Sequence, residues 1–218
     1  MGNEKALQNV SKATIGRLPA YHRYLKERQA AGEKTISSTA IAEALHLTAV
    51  QVRKDLAGIS SVAGKPKRGF AVEELIEDIN RFLGYDNVTD AVLVGVGGLG
   101  SALVGYDGFK NYGLNIVAAF DTDPLLIGRT VSGVRVYDAA ELAHLVRRQG
   151  VLIGVITVPK GAAQKVADEL VRGGVRAIWN FSPVHLALPE NIAVKNEDMA
   201  ASLAILSKRL AEILYNEK

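Results

Sequence analysis

Apolar residues recur at helical spacing through residues 11–32, where Ile15, Leu18, Tyr21, Tyr24 and Leu25 mark one face and Gly32 supplies a stop. Pro19 falls inside this stretch and is expected to start or kink the helix, because proline lacks the amide that a helix interior uses. A second helix is predicted over 38–45, with Ser37 or Ser38 as its cap and Ile41, Ala42 and Leu45 facing inward. His46 fits a tight turn. Thr48 then caps a third helix over 49–58, in which Val50, Val52 and Leu56 are expected to point partly to the core. That leaves Gln51, Arg53 and Lys54 projecting. Two glycines and a proline bracket the basic residues of 64–69, as at a hairpin tip. Val72, Leu75, Ile76, Ile79, Phe82 and Leu83 mark a fourth helix that ends near Gly84, and 85–89 reads as a linker.

From Asp90 onward short apolar runs alternate with amphipathic segments, the texture of a parallel sheet flanked by helices. Strands are predicted over 91–95, 115–120, 151–158, 177–179 and 191–194. Asp138 and Glu141 stand at capping-box spacing before a helix that ends at Gly150, and Pro159 suits the first turn of another that ends near Gly173. The last helix spans about 198–215, with Met199, Leu203, Leu206, Leu210 and Leu214 on one stripe.

The most specific motif is Gly95-Val96-Gly97-Gly98-Leu99-Gly100, which follows the apolar run Val92-Leu93-Val94. In such a loop the first glycine permits the strand-to-helix turn, the second lets backbone approach a pyrophosphate, and the third lets helix and strand pack closely. A second strand closes on Asp121 at the spacing of the acid that receives the adenosine ribose hydroxyls. That carboxylate repels a 2′-phosphate, so NAD(H) is favoured over NADP(H). Asp123, ahead of Pro124, reads as a turn residue. Thr157 and Pro159 lie at the carboxyl end of the predicted strand over 151–158, at the edge where such sheets bind ligands.

The formal charge of +3 conceals an asymmetry: residues 1–70 carry 12 Lys and Arg against 5 Asp and Glu, and the remainder carries 14 against 18. A basic N-terminal third fits a polyanionic partner. The second and third helices have helix-turn-helix spacing, so Thr48, Gln51, Arg53 and Lys54 are placed to meet DNA in the major groove, with Lys65, Lys67 and Arg68 on a wing. The chain has no cysteine, so disulfides, thiolate zinc sites and cysteine nucleophiles are excluded. Residues 1–10 lack an apolar core of signal-peptide length and no later run matches a membrane span, so a cytoplasmic protein is expected. Three domains follow: a winged helix over 1–84, a Rossmann domain over 85–197, and a C-terminal helix over 198–218.

Several segments taken in order resemble the redox-sensing transcriptional repressor Rex family. They are Ala13-Thr14-Ile15-Gly16-Arg17-Leu18-Pro19-Ala20-Tyr21, Gln51-Val52-Arg53-Lys54-Asp55-Leu56, the glycine loop through Leu103, Tyr106-Asp107-Gly108-Phe109, Phe120-Asp121, Thr157-Val158-Pro159 and Asn180-Phe181-Ser182-Pro183. The resemblance implies a homodimer that binds a palindromic operator and releases it on binding NADH, with NAD⁺ as the competing ligand. It places Phe181 beside the nicotinamide, makes Arg23 and Tyr106 switch residues, and implies that the last helix is exchanged between subunits. The wing departs from the family's usual Gly-x-Arg-Gly followed by Gly-Tyr, reading Pro66-Lys67-Arg68-Gly69-Phe70-Ala71.

Two other readings compete. A small NAD-dependent dehydrogenase needs a placed acid–base group, and of His22, His46, His144 and His185 only the last falls near a strand end. A CoA-binding or nucleotide-binding accessory subunit conflicts with Asp121, which suits two free ribose hydroxyls better than a 3′-phosphate.

Overall fold

The structure is a computed structural model that describes residues 10–60, 69–87 and 89–216. The chain divides into two compact units, residues 1–87 and 88–218.

In the first unit, α1 (Lys12–Ala30) begins at Ser11, whose hydroxyl accepts the Thr14 amide at 3.1 Å. Pro19 therefore neither starts nor ends the helix but sits inside it. Its ring deprives the Ile15 carbonyl of a partner, and Ile15 lies on the exposed side at 42 % exposure rather than on the core face. The core face is Leu18, Tyr21 and Leu25, packed with Ile41, Val52, Leu56, Leu75 and Ile79. Helices α2 (Ser38–Ala44) and α3 (Ala49–Ala57) are capped by Ser37 and Thr48, and His46 turns the chain between them in the left-handed region at φ 53°. Strand β1 (Thr35–Ile36) pairs antiparallel with β2 (Phe70–Ala71), and α4 (Val72–Leu83) stops at Gly84, also left-handed. Lys65, Lys67 and Arg68 of the expected wing lie outside the described residues.

The second unit is built on a seven-stranded sheet in the order β5-β6-β4-β3-β7-β8-β9. Its members are β3 (Thr89–Val94), β4 (Leu114–Asp121), β5 (Thr130–Val131), β6 (Val134–Asp138), β7 (Ile153–Ile156), β8 (Ala177–Asn180) and β9 (Ala193–Asn196). All pairs are parallel except the β5–β6 hairpin. Counted along the chain, the six parallel strands run 3-2-1-4-5-6, the doubly wound order whose switch point lies between β3 and β7. Neither β5 nor β6 was among the predicted strands. Helices α6 (Leu142–Gln149) and α7 (Lys160–Gly173) pack on one face through Leu142, Leu145, Val146, Ala163, Ala167 and Leu170. The other face is covered more thinly, by α5 (Gly98–Val104) and by Phe109 of the 3-10 turn Asp107–Tyr112.

The final helix, α8 (Met199–Asn216), buries none of its residues. Leu203, Leu206, Leu210, Ile213 and Leu214 are each more than half exposed. Among the described residues no helix is long and apolar enough to cross a membrane.

Candidate nucleic-acid interface and dinucleotide edge

The candidate recognition helix α3 is tied to α1 by a buried carboxylate. Asp55 is 3 % exposed and accepts four hydrogen bonds. Arg17 donates through Nε to Oδ2 at 2.7 Å and through Nη2 to Oδ1 at 2.8 Å, Tyr21 donates to Oδ2 at 2.7 Å, and Thr14 to Oδ1 at 2.9 Å. Burial pushes the Asp55 carboxyl up, but these donors outweigh it and hold the group below the usual carboxylate range. The same contact raises Arg17, while burial and then the Asp55 bond push the Tyr21 hydroxyl up to about 12. With one face of α3 fixed in this way, Arg53 and Lys54 are exposed and Gln51 half-buried on the remainder. Thr48 spends its hydroxyl on the Gln51 amide at 3.2 Å, and Arg53 reaches Ser38 Oγ at 3.4 Å.

Val50 corrects the sequence expectation. It is 67 % exposed, whereas Val52 and Leu56 are fully buried. Two residues along a helix is a turn of about 200°, so Val50 cannot share the Val52 face. An exposed apolar residue beside Gln51 and Lys54 is suited to contact a thymine methyl.

The dinucleotide candidates gather at the carboxyl edge of the second unit's sheet. The chain leaves β3, β7 and β8 in step: the Gly95 amide donates to Phe120 O at 2.8 Å, Thr157 to Val94 O at 2.9 Å, and Phe181 to Ile156 O at 2.9 Å. Asp121, ending β4, accepts the Val96 amide at 2.6 Å and so faces the glycine loop. Thr157 Oγ1 lies 2.6 Å from Gly95 O, pinning the loop to the neighbouring strand end.

The glycines divide into two kinds. A Cβ at Gly95, which has φ +99°, would lie 2.8 Å from Val158 Cγ1, and one at Gly100 would run into the Gly95 carbonyl oxygen and sit 2.9 Å from Thr157 Oγ1. These two are demanded by the protein's own packing. A Cβ at Gly97 or Gly98 would meet nothing within 4 Å. Their missing side chains leave open the space that an approaching phosphate needs. Leu99 is exposed beside them, and Pro159 caps α7 as its N-cap rather than entering its first turn. Asp123 accepts the Leu125 amide at 2.8 Å, as a turn residue does.

Arg23 is exposed on α1 in the first unit, and its side chain makes no hydrogen bond or ion pair with a described residue. Tyr106, 55 % exposed, lies in the second unit between α5 and the 3-10 turn and packs edge-on against Phe109 at 4.9 Å. The row continues from Phe109 to Trp179 at 5.4 Å and from Trp179 to Phe181 at 4.8 Å. Among the described residues no group of three or more His, Cys, Asp and Glu is arranged to hold a metal.

Comparison with known proteins bears on both units. Residues 9–57 match the family model "Putative DNA-binding protein N-terminus" and residues 86–184 the model "CoA binding domain". A redox-sensing transcriptional repressor Rex from Clostridium botulinum is 42 % identical over 203 residues, covering 93 % of this chain and 96 % of the relative. The crystal structure of RSP in complex with β-NAD⁺ and operator DNA superposes with a TM-score of 0.88 at 38 % identity, covering 95 % of this chain and 96 % of that one. The structure of RSP with β-NADH gives 0.86 at 37 % identity, covering 96 % and 99 %.

Proposed function

This chain belongs to the Rex family of redox-sensing transcriptional repressors, and from that premise we propose that it binds operator DNA and is released from it by NADH, so reading the NADH/NAD⁺ ratio. The observation that carries the dinucleotide half is the opening over Gly97 and Gly98, which nothing in the fold requires, beside a carboxylate held at the loop by the Val96 amide. In the doubly wound sheet the adenosine lies toward β4, where Asp121 receives both ribose hydroxyls. The pyrophosphate crosses Gly97 and Gly98, and the nicotinamide reaches the ends of β7 and β8 at Thr157 and Phe181. A 2′-phosphate would meet the Asp121 charge. The likeness to a CoA binding domain concerns the sheet, whereas Asp121 favours a ligand with free ribose hydroxyls.

On the DNA side Gln51, Arg53 and Lys54 meet base edges and phosphates, with Thr48 at the helix start. Lys65, Lys67 and Arg68 add phosphate contacts from the wing. Two copies pair as a homodimer, because the bare apolar stripe of α8 needs a second surface and an exchanged helix supplies one. A dimer sets its two recognition helices about one DNA turn apart, or a multiple of it, and NADH favours a state with a different spacing, in which Arg23 and Tyr106 change partners. The ligand acts as an effector, and the dehydrogenase alternative falls with the family assignment, because relatives spanning nearly the whole chain are repressors. The protein works in the cytoplasm.

A mobility-shift titration on a palindromic operator tests this reading. Operator affinity should fall by about 10-fold or more with NADH, corresponding to coupling of the usual size, and much less with NAD⁺. Equal effects of the two nucleotides, or none, would refute it.

A further inference from the structure

The row of rings on the thin face of the sheet ends in a polar contact that the dinucleotide site does not itself need. Trp179 lies on β8 between Phe109 and Phe181, and its indole Nε1 donates to Glu197 Oε1 at 2.7 Å. Glu197 is 31 % exposed and has Lys195 Nζ at 3.7 Å, so solvent and a neighbouring cation already serve its charge. Beyond the ring contacts, what the indole adds is a donor that reaches one particular carboxylate. That carboxylate stands at the root of α8. The Glu197 amide donates to Asn180 O at 2.8 Å, and the next residue, Asp198, accepts the Ala201 amide at 2.9 Å in the helix's first turn. The same indole packs against Phe181, which follows β8 directly, with ring centroids 4.8 Å apart. One side chain thus spans from the residue at the nicotinamide end to the residue from which α8 departs.

Resting on the NADH-release reading above, we infer that Trp179 is a positioning residue of the response: it carries a displacement of the Phe181 ring by the nicotinamide to Glu197, and so changes the direction in which α8 leaves the sheet. Because α8 buries nothing on its own chain, its attitude is set by its root and by a partner subunit. A shift at the root is therefore a shift of the subunit interface. The route is short and lies wholly within the second unit. It needs no direct contact between the nucleotide and α8.

The test uses the full-length protein and two quantities, the NADH Kd by calorimetry and the operator Kd with and without saturating NADH. Trp179→Phe keeps a ring between Phe109 and Phe181 while removing the donor and part of the indole's volume. It should leave the NADH Kd and the NADH-free operator Kd within about threefold, while cutting the NADH-induced weakening of operator binding by about tenfold, the scale of one hydrogen bond to a charged acceptor. Glu197→Ala should do the same, the double variant should do no more than either single, and Glu197→Gln, which keeps an acceptor oxygen, should retain the response. Glu197 is partly exposed, so this pair stands even if Trp179→Phe folds poorly. Wild-type coupling in both Trp179→Phe and Glu197→Ala overturns the inference, as does a loss of NADH affinity that accounts for the whole change. If the wild-type protein itself shows no NADH effect, the NADH-release reading fails and takes this inference with it.

Discussion

Removing the Asp55 carboxylate should free α3, the candidate recognition helix, from the first unit's core. In Asp55→Ala the four donors that converge on two oxygens lose their acceptor together. The consequences differ by position. Tyr21 is fully buried and Thr14 is 8 % exposed, so neither hydroxyl regains water without local opening, at about 1–3 kcal/mol for each orphaned group. The Arg17 side chain is 24 % exposed and recovers part of its hydration, which places the ionic loss at the lower end of the range for breaking a buried pair, about 3 kcal/mol. These costs overlap because one cavity serves all three groups, so about 3–4 kcal/mol is the expected total. Hydrogen exchange by mass spectrometry reads it directly, as faster exchange of α1 and α3 amides. Operator affinity should fall in parallel, while NADH affinity, carried by the other unit, stays the same. An α3 exchange rate changed by less than about 1 kcal/mol would show that Asp55 does not hold the helix.

Four further outcomes follow from the same geometry. The Tyr21 hydroxyl, pushed up to about 12, favours the folded state fully below pH 10; that contribution is lost as pH rises from 10 to 12, and Tyr21→Phe should flatten this alkaline limb of a denaturation series. Gly97→Ala should weaken NADH binding about 10-fold or more at unchanged melting temperature, because its Cβ meets only the ligand's space, whereas Gly100→Ala should lower the melting temperature as well; equal melting effects would contradict the division of the glycines. Replacing operator thymines by uracil should weaken binding by the wild-type protein and leave Val50→Ala almost indifferent, with equal sensitivity counting against the methyl contact. Leu210→Glu should shift the protein to monomer in sedimentation, since a charge in the α8 stripe has no place in a packed helix interface; an unchanged dimer would move the interface elsewhere.

Where one periodicity dominates, the elements were legible from sequence. The helix-turn-helix is bounded by Ser37, His46 and Thr48, each with local chemistry that acts in sequence as it does in space. Glycines at 84 and 150, and at 174 just past the predicted stop, end helices in the left-handed region. The strands β5 and β6 were missed because both are short: Thr130–Val131 spans two residues between the left-handed glycines 128 and 133, and Val134–Asp138 spans five with only Val136 fully buried. Val50 was misplaced although the 3.6-residue period already separated it from Val52. Asp55 was beyond reach for another reason. A buried acid has no signature of its own, and its partners Arg17, Tyr21 and Thr14 are 34 to 41 residues away.

The same limit explains why the two units were easier to recognise than the link between them. A glycine loop and a recognition helix each consist of neighbours in sequence, with spacing set by a ligand of fixed size. A switch has no such ruler. It depends on contacts that are satisfied in one state and exchanged in another, and the side chains concerned look ordinary on either side. Tyr106, Phe109, Trp179 and Phe181 form a single row only because β8 and the Asp107–Tyr112 turn share a face of the sheet. Glu197 joins that row only because β9 pairs with β8 and returns the chain beside Asn180. The parallel sheet thus does more than hold a nucleotide. By ending successive strands at one edge, it brings the Phe181 ring and the root of α8 within one indole of each other.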